Sequence, residues 1–224
     1  MKTPSHAVIN LALLMPSDPL VSAIALGSVL PDLPIFVLYL WAKGIRKQDD
    51  RTIWGELYYS SFWYGWTALL HSIPLALGLA GCSSWGHWHW GVVLGLSMVL
   101  HDLLDLPVHH DDAHCHFFPF STYRFMSPFS YWDPRHYGRQ VAGVEALLVL
   151  GATVVLWPLF PGWLARGCLV VLNGLYLGLP SYAALARAWV GCPVPVQVSG
   201  GDPGVNLGLD RASPHSGLDP ESVP

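Results

Sequence analysis

Charge is the first thing this sequence has little of. Of its 224 residues 12% are charged and 52% hydrophobic, and the mean hydropathy is +0.40. A soluble domain carries roughly 25% charged residues, so the composition excludes disorder for the bulk of the chain and argues against an ordinary soluble globule. A basic excess is also missing. The formal net charge is -4 and the pI about 6.2, which gives no electrostatic support to nucleic-acid binding. Only four cysteines are present, Cys82, Cys115, Cys168 and Cys192. They form no CxxC pair and no zinc-knuckle spacing, so a disulfide framework is excluded and the expected role is small apolar filler. There is no internal repeat. The N-terminal apolar run Ala7 to Met15 stops at Pro-Ser-Asp-Pro with no small-residue cleavage site, so it is not expected to be a signal peptide.

What is present points to a membrane. Eleven tryptophans suit the membrane–water interface, with an apolar ring on one side and an N–H on the other. Five stretches approach the length needed to cross about 30 Å of hydrocarbon: Leu20 to Ala42, Tyr64 to Gly81, Trp90 to Leu106, Val141 to Phe160 and Gly167 to Val190. The expected fold is all-α, a polytopic membrane helix bundle of about five spans plus a short N-terminal helix. Pro31-Asp32-Leu33-Pro34 interrupts the first span, and unwound backbone is tolerated at membrane depth only inside protein or beside trapped water. Asp32 is therefore expected within the bundle. Five crossings place nine of the eleven Lys and Arg residues on one side, with Lys2 and Arg166 on the other. That bias makes loops 43–63 and 107–140 cytoplasmic. A membrane domain over 1–192, with the site loop 107–140, is followed by a Pro-, Gly- and Ser-rich segment over 193–224 that reads as a disordered tail containing His215.

Ionisable side chains are costly at membrane depth, and here they cluster. His101 and Asp105 stand at i and i+4, which puts both on one helix face, and Pro107 ends that helix. Asp102 lies between them. His109, His110, Asp111, His114 and His116 follow within one short loop that also holds Cys115. His71 sits in the second span, and His6 follows Ser5, a good N-cap for the N-terminal helix. Glu145, early in the fourth span, either reaches the same centre or pairs with Arg139. His87 and His89 alternate with tryptophan and read as interfacial, and His136 is a weak candidate. Imidazole and carboxylate without thiolate suit zinc, manganese or non-haem iron, and so many first-rank ligands suit one or two ions. Such ions activate water and polarise phosphoryl or carbonyl oxygens, which is the physical case for a hydrolase.

These residues also carry a resemblance. Pro4-Ser-His-Ala, Leu30-Pro-Asp-Leu33, His71-Ser72 and His101-Asp-Leu-Leu-Asp105 resemble the YdjM-like family of membrane-bound, predicted metal-dependent hydrolases, over roughly residues 3–160. The run HHDDAHCHFFPFS from His109 is similar to a related bacterial subgroup, which implies a bacterial inner-membrane location. The order His, Asp, His, HxxxD, His also resembles the trinuclear zinc sites of zinc-dependent phospholipase C and its related nucleases. That likeness implies His6, Asp32, His71, His101, Asp105 and His110 as ligands, with Asp32 bridging and beside the attacking water. The later HxxxE or HxxxD pair of those enzymes is missing here, and His114, His116 or Glu145 would replace it.

The leading expectation is thus a membrane-bound hydrolase holding one or two divalent ions, zinc favoured over manganese or iron. Its metal ligands come from His6, Asp32, His71, His101, Asp105, His109, His110, Asp111, His114 and His116. Asp32 or Asp102 serves as general base, and Arg124 or Arg135 is available to an anionic group. The partners are the lipid bilayer and a lipid-like or phosphorylated substrate. The competing expectations are a metal-ion or proton transporter or sensor, whose ligands would line a pathway, and a structural membrane protein with a polar knot.

Overall fold

The computed structural model describes residues 1–17 and 19–174. The stretch 193–224 and most of the expected fifth span lie outside the described residues. Among the described residues all regular structure is helical. The elements are α1 (Thr3–Leu14), α2 (Val21–Val29), α3 (Leu33–Tyr39), the single turn α4 (Asp50–Thr52), α5 (Ser61–Leu70), α6 (Ile73–Trp85), α7 (His89–Asp105) and α8 (Gly138–Leu159). A last helix, α9, covers Trp163–Gly174.

Two of the expected five spans are helices long and apolar enough to cross a membrane, Val21–Ile45 and Gly138–Leu159. The first runs from α2 through a 3-10 turn at Leu30–Asp32 and α3 into a wide π-helical turn at Leu40–Ile45. The second expected span is not one helix. It breaks between α5 and α6, which are bent by 51° and would make a third crossing only as a broken pair. The cause is local. His71 ends α5, the Ser72 hydroxyl accepts a hydrogen bond from the Leu75 N–H as N-cap of α6, and Pro74 stands in the first turn. The third expected span, α7, has 17 residues, about 26 Å of helix. At that length, with His101, Asp102 and Asp105 near its end, it is not among the helices long and apolar enough to cross. Among the described residues two helices, or three crossings with the bent pair, are long and apolar enough to cross, and the expected five are not supported.

Helix α7 is the hub. It packs against α1, α2 and α6, while α1 also packs against α2 and α8. Close approach is enforced by glycine. A Cβ on Gly27 would meet the Leu94 carbonyl at 2.5 Å, and one on Gly95 the Ala76 carbonyl at 2.7 Å. Ala23, Ile24, Ala76, Val93, Leu94 and Met98 fill the seam between α2, α6 and α7. Asn10 on α1 donates to the Ser97 carbonyl and hydroxyl at 2.8 and 2.9 Å, and Ser97 donates to the Ile24 carbonyl at 2.7 Å. This polar stitch fixes α1 and α2 on α7 in one register, just below the histidines. The outward face of α8 is bare by contrast, with Leu147 and Val154 more than 70% exposed, as a lipid-facing helix requires.

Candidate metal centre

A 3-10 turn within the continuous Val21–Ile45 helix, which the two prolines tighten rather than unwind, and the break between α5 and α6 each deliver a side chain. Asp32 sits in the 3-10 turn between α2 and α3, and His71 at the corner between α5 and α6. They meet His101 and Asp105 from the end of α7. Ligand atoms of Asp32, His71, His101 and Asp105 all lie within 4.8 Å of one another, a group that could hold a metal ion. A second group, Asp105, His109 and His114, meets the same criterion. Asp105 belongs to both.

The imidazoles of the first group are oriented by backbone. His101 Nδ1 lies 2.8 Å from the Ser28 carbonyl, and His71 Nδ1 3.1 Å from the Thr67 carbonyl. A carbonyl only accepts, so each Nδ1 carries the proton and donates, which leaves Nε2 as a lone pair. Both Nε2 atoms are buried and without a hydrogen-bond partner. With the proton on Nδ1 they face carboxylate oxygens acceptor to acceptor: His71 Nε2 is 3.4 Å and His101 Nε2 3.8 Å from Asp32 Oδ1, and His101 Nε2 is 3.2 Å from Asp105 Oδ2. Leaving a buried polar group unpaired costs about 1–3 kcal/mol, so a cluster of such atoms is held together most simply by a cation that all of them bind. The Thr3 hydroxyl donates to Asp32 Oδ2.

His6 joins from α1. Its ring stacks on His101 at 3.8 Å, and its Nε2 lies 2.8 Å from Asp105 Oδ1. Helix α1 begins at Thr3 with Lys2 as N-cap, so Ser5 lies inside the helix rather than capping it. The Met1 amino group also reaches Asp105, and lies 3.0 Å from His109 Nε2. Glu145 is buried on α8 and accepts the Lys2 N–H at 2.9 Å, tying α8 to the start of α1.

The loop after Pro107 completes the second group. His109 Nε2 lies 3.2 Å from Asp105 Oδ1, and its Nδ1 lies 3.0 Å from Asp112 Oδ2, which in turn accepts from the Trp132 indole at 3.0 Å. Burial works against a charged His109, but the Asp105 carboxylate outweighs it and lifts this imidazole to about 9. His114 stacks on His71 at 3.9 Å, with its Nδ1 3.4 Å from the Tyr58 hydroxyl. Burial, then the neighbouring His71, holds His114 well below the usual histidine range.

The structure brings His6, Asp32, His71, His101, Asp105, His109 and His114 together, with His116 alongside. It does not bring His110 or Asp111. His110 stacks on His136 at 3.7 Å with its Nδ1 2.6 Å from the Ser127 carbonyl, and Asp111 is exposed. Cys115 turns towards the Tyr64 hydroxyl, 3.1 Å away. The two arginines expected to await an anion are engaged. Arg124 donates to the Ala113 and Asp111 carbonyls at 2.6 and 2.5 Å, clasping the loop, and Arg135 pairs with Asp133 at 2.8 Å. Asp112, Tyr58, Thr3 and the Ser28 and Thr67 carbonyls were not visible as partners in the sequence.

Comparison with protein-family models, with curated proteins and with solved structures gives no match. The functional reading therefore stands on the side-chain geometry.

Proposed function

We propose that this chain is a membrane-embedded, metal-dependent hydrolase whose two divalent ions share the Asp105 carboxylate, acting on a lipid-like or phosphorylated substrate. The observation that carries this is the membership of Asp105 in both ligand groups. Two-metal hydrolytic sites place their ions about 3.5–4 Å apart, and a common carboxylate supplies that spacing. The donor set favours zinc over manganese or iron. Ions there supply Lewis-acid polarisation and a nucleophile at neutral pH. The chain's own part is to hold the imidazoles in the correct tautomer and to keep Asp32 at the rim of the group as general base. With Arg124 and Arg135 engaged elsewhere, the ions themselves carry the positive charge that receives an anionic group.

For the membrane arrangement, Val21–Ile45 and α8 cross, and the bent α5–α6 pair is re-entrant. Residues 46–137 then share one face that carries Arg46, Lys47, Arg51, Arg124 and Arg135, the cytoplasmic face of a bacterial inner membrane. The test is metal content and turnover of detergent-purified protein over a panel of phosphoesters and acyl esters. His101→Ala and Asp105→Ala each abolish tight metal binding and hydrolysis; full activity in either variant overturns the proposal.

One observation favours a second reading, metal-ion transport. A broken helix pair, α5–α6, that brings His71 to a polar site is also a feature of secondary transporters. Uptake of zinc into proteoliposomes, without hydrolysis of any ester, would decide for it.

A further inference from the structure

Beside the two groups that share Asp105 lies a buried pair that neither group uses. Asp102 follows His101 on α7, is fully buried, and has no hydrogen-bond partner at either carboxylate oxygen. His116 is 2% exposed, and its Nδ1 is also without a partner. These orphaned atoms face each other, with His116 Nδ1 3.9 Å from Asp102 Oδ1. That is too long for a hydrogen bond. It suits two donors reaching one ion at bond lengths of about 2.0–2.2 Å each.

The position of His116 is built and does not follow from a loop falling at random. The Ile73 N–H donates to the His116 carbonyl at 3.0 Å, and the Ser72 hydroxyl donates to the Phe118 carbonyl. Residues 116–118 are thus strapped across the first turn of α6, which packs on α7. The straps carry the imidazole to the face of α7 that holds Asp102. A buried carboxylate with no protein donor is among the most costly groups a fold can keep, and a lone imidazole nitrogen opposite it adds to that cost.

We infer that Asp102 and His116 form a further divalent-cation position, separate from the pair joined by Asp105. With two protein donors in place of four or three, it holds its ion more weakly and takes its remaining ligands from water or from an oxyanion. The inference rests on the metal-centre reading above and adds to it a role for two residues that reading does not employ.

The experiment is a zinc titration of the detergent-purified full chain after chelation, with bound metal counted by elemental analysis after each step. The expected result is two tight equivalents and one weaker, with the weaker one lost in His116→Gln and in Asp102→Asn while the two tight ones stay. Asp102→Glu, which keeps the carboxylate, guards against a folding defect in Asp102→Asn and retains the third equivalent at reduced affinity. Saturation at two equivalents in the unaltered chain, or an unchanged third equivalent in His116→Gln, overturns this inference and leaves the Asp105 centre standing. No bound zinc at any concentration overturns both.

Discussion

The two ligand groups that share Asp105 are made of different materials. In the first, His71 and His101 are turned by main-chain carbonyls of α5 and α2, and Asp32 is fixed in a helical turn. In the second, His109 and His114 come from a loop and lean on side chains, Asp112 backed by Trp132 for one and Tyr58 for the other. A carbonyl inside a packed helix cannot move without moving the helix. A carboxylate on a loop can. In the proposed centre the first group would therefore be the more preorganised for its ion, and the second, held by the loop, would be the less rigid of the two.

The comparison breaks most completely at its shared member. Asp105→Asn removes the charge common to both groups, and both tight ions are expected to leave together, with hydrolysis at background; elemental analysis after desalting reads this. Single removals sharpen the contrast. His101→Ala takes the helix-side ion and the largest share of metal-dependent thermal stabilisation, whereas His114→Ala leaves the helix-side ion in place. Equal losses in the two variants would remove the distinction. Supporting residues come next in size. Asp112→Ala or Tyr58→Phe weakens the loop-side ion by about 10–100-fold and leaves the helix-side ion unchanged in a competition titration with a chromogenic chelator. Gly95→Leu acts on the scaffold alone. Its side chain meets the α6 backbone, and about 1–3 kcal/mol of stability is lost, visible as a lower unfolding midpoint with metal stoichiometry unaltered.

The smallest effect is on pH, in chelator-treated protein. Burial, then the neighbouring His71, holds His116 at about 4, below its unfolded value of about 6.5. The unfolded chain binds more protons between those values, so stability falls as pH drops from 6.5 towards 4. His109, raised to about 9, acts in the opposite direction. Its contribution is fully present below pH 6.5 and is lost as pH rises towards 9. Thermal unfolding of the chelated protein is expected to be most resistant near pH 6.5, and a monotonic profile across pH 4–9 would contradict this.

The half of the site on helices was legible in the sequence, and the half on the loop much less so. His101 and Asp105 could be paired because helical periodicity fixes which residues share a face. Asp32 could be placed inside because two prolines beside a membrane acid leave few alternatives. In the loop no period exists, so nothing in His109-His110-Asp111-Asp112 says that the first histidine turns inward while the second stacks on His136. The break at His71 had its signals, a capping serine and a proline in Ser72-Ile73-Pro74, but hydropathy averages over them and reads one straight span. The same averaging made a span of α7, whose apolar run is long enough only if its last turn of His and Asp is counted.

The central claim is that Asp105 bridges two ions, and magnetic resonance tests it most directly. The metal-free protein is loaded with two equivalents of Mn²⁺ and its electron paramagnetic resonance spectrum recorded at low temperature. The account predicts the multiline spectrum of a coupled pair, absent in Asp105→Asn. The six-line spectrum of isolated Mn²⁺ ions in the unaltered chain would contradict it.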